Sequence, residues 1–118
     1  MLQYNGQTLA YVGDAVYELH VRTKLLENGK FHPNALHKAA IEHTNASGQY
    51  RAYKRIESSL TPQEISIINR GRNASSSRKP GKADLKTYKM ATGLEALLGY
   101  LYLDNQEKRL RELLDLIF

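Results

Sequence analysis

Tyr11-Val12-Gly13-Asp14-Ala15-Val16-Tyr17-Glu18-Leu19 sets a carboxylate, Asp14, inside a largely apolar helical run whose other acid is Glu18. Working back from it, Leu9, Val12, Val16 and Leu19 step by three, four and three, the spacing of one helical face, and Thr8 is placed to cap the start. Far along the chain Ala91, Leu94, Leu98 and Leu101 repeat those steps around a second acid, Glu95. Gly13 stands beside Asp14, and Gly93 and Gly99 flank Glu95. A helical glycine costs about 1 kcal/mol relative to alanine, so glycines here point to close backbone approach. Two helices crossing where their side chains are small would bring Asp14 and Glu95 together.

A carboxylate taken out of water costs several kcal/mol unless something positive or hydrogen-bonding compensates it. A divalent cation shared by Asp14 and Glu95 would do so. Mg²⁺ suits one or two carboxylates completed by waters and a substrate phosphate, with Mn²⁺ as the substitute ion. The competing reading is that each acid pairs with a Lys or Arg of another helix.

The rest of the chain also reads as helix. The first helix is expected to end near Asn28-Gly29, and Pro33 suits the first turn of a second carrying Leu36, Ala39, Ala40 and Ile41. Asn45 to Ser47 breaks it from a third helix running to about Ser58. Thr61-Pro62-Gln63-Glu64 has the form of a capping box with proline at the first helical position, and a fourth helix is expected to stop at Gly71. A last helix carries Leu110, Leu113, Leu114 and Ile117. No segment alternates like a strand. These features predict an all-α bundle of five to seven helices, residues 1–118 forming one domain, with the first and fifth long helices at its centre.

The absence of cysteine excludes disulfides, thiolate metal sites and cysteine nucleophiles. With no basic region followed by an apolar run near Met1, it leads to the expectation of an unprocessed, soluble, cytoplasmic protein with no membrane partner. The net charge of +5 favours a polyanionic partner, and a symmetric dimer would double that charge. The cations concentrate at Arg70, Arg72, Arg78, Lys79, Lys82, Lys86 and Lys89, around a turn-rich basic loop at about residues 72–86 that also holds Asn73 and three serines. Such a stretch fits phosphate contacts along a duplex, with a solvated linker as the plain alternative. Tyr88 is the only aromatic nearby, so base stacking has little to work with. Most of the eight tyrosines are expected in the core or at a dimer interface, and the four histidines show no zinc-ligand spacing.

Tyr11 to Val16 resembles the signature helix of the ribonuclease III family, and Leu94-Glu95-Ala96-Leu97-Leu98-Gly99-Tyr100-Leu101-Tyr102-Leu103 resembles that family's second acidic motif. Order and separation agree as well. Arg70-Gly71-Arg72-Asn73-Ala74, Leu36-His37-Lys38 and the lack of sequence after Phe118 are similar to the minimal branch of that family, Mini-ribonuclease III, which has no appended double-stranded RNA-binding domain. The resemblance spans nearly the whole chain. It implies a homodimeric endonuclease that hydrolyses both strands of double-stranded RNA to 5′-phosphate and 3′-hydroxyl ends. Asp14 and Glu95 occupy the places of two metal-binding catalytic acids. Other members carry further acids four residues before the first and three before the second; here those places hold Ala10 and Thr92, and the number of ions per site is left open. Precursor large-subunit (23S) ribosomal RNA is the implied substrate, with a ribosomal protein as a candidate assistant.

The chemistry expected is in-line attack of an activated water on phosphate, with Asp14 and Glu95 holding Mg²⁺ and no covalent intermediate. Glu18, one turn beyond Asp14, is read chiefly as an exposed helix charge, with a contribution to the ion through water as the lesser reading. The alternatives are an inactive RNA-binding scaffold of the same fold and a helical DNA-binding protein, the latter leaving both acid motifs without a purpose.

Overall fold

The computed structural model describes residues 3–29, 32–74 and 84–118, and in them six α-helices and one short 3₁₀ turn. The helices are α1 (Gly6–Glu27), α2 (Pro33–Thr44), α3 (Ala46–Ile56), α4 (Pro62–Ala74), α5 (Leu85–Leu103) and α6 (Glu107–Ile117), with the 3₁₀ turn Glu57–Ser59 after α3. No strand occurs among the described residues, as the periodicity requires. No helix among them is long and apolar enough to cross a membrane.

The local signals fix most boundaries, with corrections. Asn5 rather than Thr8 caps α1: its side chain accepts from the Thr8 amide at 2.8 Å. Asn45 closes α2 and caps α3 at once, accepting from Gly48 N at 2.7 Å, so the expected break shrinks to one residue. The end expected near Ser58 is instead Ile56 followed by the 3₁₀ turn. Gly71 does not end α4, which continues to Ala74. A Cβ at Gly71 would lie 2.5 Å from Ala96 Cβ and 3.0 Å from Thr92 O, so this glycine serves helix packing rather than termination.

α5 is the axis of the bundle. Leu94, Leu97, Leu98 and Leu101 are fully buried, and α1, α3, α4 and α6 all pack against it. The face that α1 turns inward is Leu9, Ala10, Gly13, Tyr17, Val21 and Leu25, not the Leu9-Val12-Val16-Leu19 stripe that the apolar steps suggested. Leu19 is 68% exposed, and it lines with Val16 an open groove described below. Glycine and tyrosine at the true core positions hide the pattern from a search for aliphatic spacing.

α6 is pinned to the start of α4 by charge. The Arg109 guanidinium donates to both oxygens of buried Glu64 at 2.8 Å and to Ser59 O at 2.7 Å. Glu64 also accepts from Thr61 N while Thr61 Oγ1 accepts from Glu64 N, completing the expected capping box. Arg109 and the Thr61 bonds hold the Glu64 carboxyl low despite its burial.

At the α1/α5 crossing a Cβ on Gly99 would fall 1.9 Å from Leu9 O, and one on Gly13 would fall 1.7 Å from Glu95 O. Gly99→Ala is therefore expected to destabilise the protein by roughly 3 kcal/mol or more, the upper end of overpacking costs. Gly29→Ala, at a positive φ of 87° with nothing within 4 Å, should cost only about 1 kcal/mol. Urea unfolding midpoints of the two variants check the order.

Candidate active site

The α1/α5 crossing decides where the acids lie. With no side chain at Gly13, the α1 backbone sits against the Glu95 carbonyl, and Asp14, the next residue, projects beside the Glu95 side chain. The two acids lie close enough for the Asp14 charge to act directly on the Glu95 carboxyl. Both line one cleft of about 410 Å³ together with Gln7, Ala10, Tyr11, Thr44, Gln49, Tyr88 and Thr92. The expected convergence of Asp14 and Glu95 is present.

Their settings differ. Asp14 is exposed at the mouth, contrary to the reading of both acids as carboxylates withdrawn from water, while Glu95 is largely enclosed by α1, α3 and α5. Burial pushes the Glu95 carboxyl up to about 8, and the Asp14 charge pushes the same way. The opposing influence is Gln49, whose Nε2 donates to Glu95 Oε2 at 3.2 Å. Among the described residues neither acid pairs with a Lys or Arg, so the competing reading as ordinary salt bridges finds no support there.

The donor set suits a hard cation: two carboxylates, one accessible and one enclosed, lining an open cleft. Mutual repulsion without a positive partner is what a shared cation relieves. No cluster of three or more His, Asp or Glu occurs among the described residues, so the protein offers two acids and waters would complete the shell. Ala10 and Thr92, at the positions where relatives implied by resemblance carry acids, do line the cleft. The Thr92 hydroxyl is spent on Tyr88 O at 3.1 Å.

Other expected site residues fall elsewhere. Arg70 donates to Tyr4 O, tying the N-terminal segment to α4. Arg72 near the end of α4 and Lys86 at the start of α5 are exposed on either side of residues 75–83. Arg78, Lys79 and Lys82, and most of the loop, lie outside the described residues. Glu18 pairs with exposed Arg22 at 3.0 Å one turn along the helix, but is itself half-buried rather than the exposed charge expected. Sequence reasoning passed over Gln49. Its signal was available: Gln49, Ala52, Tyr53 and Ile56 share one face of α3, and Gln49 is the polar member of an otherwise apolar or aromatic set.

Behind the acids, Tyr17 donates to His43 O at 3.0 Å, and burial pushes its hydroxyl up to about 12 against the lowering influence of Arg51 and Arg55. The same two arginines, after burial, depress the His43 imidazole. α3 thus contributes exposed positive charge near the site, in addition to that of the basic loop.

A helical bundle with paired acids at a glycine crossing defines a class, and comparison supplies its name. The family model for the ribonuclease III domain matches residues 7–106. The chain belongs to the ribonuclease III family and is an endoribonuclease of that type. Its relatives include the Mini-ribonuclease 3 of Enterococcus faecalis, 43% identical over 96% of this chain and 87% of the relative. The Mini-ribonuclease 3 of Symbiobacterium thermophilum is 46% identical over 91% of this chain and 82% of its own. A crystal structure of a Fusobacterium nucleatum protein superposes with a TM-score of 0.86 at 31% identity, covering 98% of this chain and 92% of the other.

Because the folded state favours neutral Glu95 and the unfolded chain ionises it near 4.5, the destabilisation is absent below that pH, grows as pH rises, and is complete above about 8. Chelator-treated protein should lose thermal stability from about pH 5 to 8. Glu95→Gln should flatten that decline, and millimolar Mg²⁺ at pH 8 should raise the melting temperature of the unsubstituted protein. Superimposable stability profiles for the two proteins would show that Glu95 carries no such load.

Proposed function

We propose that residues 1–118 act as a single catalytic domain that hydrolyses both strands of double-stranded RNA in a reaction dependent on Mg²⁺, or Mn²⁺ in its place. The observation that carries this reading is the convergence of Asp14 and Glu95, from distant segments, in one open cleft. A bound divalent ion supplies Lewis-acid neutralisation of the phosphate and lowers the pKa of the attacking water. Asp14, at the solvent side of the cleft, and Glu95, at its enclosed side, are the residues that would hold that ion. The products on this reading are 5′-phosphate and 3′-hydroxyl ends.

Binding rests on charge and on assembly. The +5 chain presents Arg72 and Lys86 beside the basic loop and Arg51 and Arg55 on α3, groups suited to phosphates rather than bases. Between α1, α5 and α6 lies a groove of about 590 Å³ whose lining includes Val16, Leu19, Tyr102, Leu103 and Leu110, with Leu19 and Tyr102 more than half exposed. A second copy docked there forms a two-fold dimer, giving one cutting centre per strand and twice the positive charge. The substrate proposed is precursor large-subunit ribosomal RNA in the cytoplasm, with a ribosomal protein as a candidate assistant.

Incubation with duplex RNA and millimolar Mg²⁺ should yield 5′-phosphorylated fragments. Asp14→Asn or Glu95→Gln should reduce the rate on the order of a thousandfold or more while leaving fold and duplex binding in place. Wild-type rates in either variant, or cleavage undiminished by chelator, contradict the assignment. Leu19→Lys should shift the protein to monomer in sedimentation and turn coordinated two-strand cutting into slow nicking; an unchanged dimer would place the interface elsewhere.

A further inference from the structure

We infer that Gln49 is a positioning residue for the reaction, fixing the Glu95 carboxylate for the divalent cation; this rests on the metal-dependent reading above. Both of its donors are committed, Nε2 bonding Thr44 O at 3.0 Å and Glu95 Oε2 at 3.2 Å. The amide has one sensible orientation, because the flipped form would set Oε1 against a carbonyl and a carboxyl oxygen. The end of α2 is thereby linked through Gln49 to the acid on α5.

What the residue gives up is as informative. Gln49 is 4% exposed on α3, and its Oε1 is buried with no hydrogen-bond partner among the described residues. A buried acceptor left unmade is unfavourable, and buried polar groups are nearly always satisfied. Packing alone would be served by an apolar side chain of similar length, as at Ile56 on the same face. The unmade bond is accounted for by what the other end of the amide holds. With Oε2 tethered, rotation of the Glu95 carboxylate is restricted, and loss of such a partner to a metal-binding group typically weakens the ion 10–100-fold.

The test compares Gln49→Met, Gln49→Leu and Glu95→Gln with the unsubstituted protein, measuring Mn²⁺ affinity without RNA by electron paramagnetic resonance and helicity and melting temperature in chelator. Both Gln49 variants should keep their helicity and bind Mn²⁺ about 10–100-fold more weakly. In cleavage assays the Mn²⁺ concentration for half-maximal rate should rise by the same factor while the saturated rate stays within a few-fold. Glu95→Gln should not be rescued by added Mn²⁺. If Glu95→Gln loses the ion while the folded Gln49 variants bind it as tightly as the unsubstituted protein, the positioning role is overturned and the metal centre stands. If Glu95→Gln retains full Mn²⁺ affinity, the metal centre itself is wrong and this inference falls with it. Should leucine prevent folding, the unbranched Met variant decides alone; a lowered melting temperature with unchanged Mn²⁺ affinity assigns Gln49 to packing and rejects the proposal.

Discussion

Backbone contact between α1 and α5 is the constraint on which the molecule turns. The contact is reciprocal: Gly13 rests on the carbonyl of Glu95, and Gly99 on the carbonyl of Leu9. Neither position can carry a Cβ without moving a helix. Each glycine forgoes about 1 kcal/mol of helix propensity. The return is burial of Leu9, Tyr17, Leu94, Leu98 and Leu101 in one tightly closed core. The same device recurs where Gly71 of α4 meets Gly93 and Ala96 of α5, so the central helix is approached closely from two sides.

That contact also sets the electrostatics. Asp14 follows Gly13 directly and Glu95 owns the carbonyl against which Gly13 packs, so the acids are brought together by residues adjacent to them in sequence. The fold therefore holds an enclosed carboxyl against a neighbour of like charge in a protein of net charge +5. Elsewhere it treats enclosed charge differently: buried Glu64 receives both arms of Arg109 and a backbone amide. The contrast separates a carboxylate that clamps helices from one kept short of partners, and a group of the second kind in a cleft has the environment of a functional site.

The helices, the capping box at Thr61 and the meeting of Asp14 with Glu95 were legible because glycines and acids sit in helical register. The inward face of α1 was not, because Gly13 and Tyr17 occupy core positions that a count of aliphatic residues skips. Gly71 misled for a related reason: in sequence a glycine that ends a helix and one that lets a neighbour in look alike, and only the partner at Ala96 tells them apart. The exposure of Asp14 against the enclosure of Glu95 depends on α3, whose contribution through Gln49 carries no spacing signal linking it to either acid. The loop cations Arg78, Lys79 and Lys82 stay with the sequence argument, since they lie outside the described residues.

Two apolar stripes on α1 explain why its sequence gives a mixed signal. Leu9, Gly13, Tyr17 and Val21 are buried in the bundle, while Val16 and Leu19 turn toward the open groove with Tyr102. A helix with one apolar face would bury the first set and expose polar residues opposite; a second stripe has a use when another surface covers it. Asp14 precedes Leu19 by five residues, about 8 Å along the helix axis. A chain docked in the groove therefore bears on the same rigid helix that presents the acid, within two turns of it. In the dimer proposed above, assembly and the placement of Asp14 would be linked through α1 without any loop between them, and Gly13 with Gly99 opposite keeps that helix seated while its other face is occupied.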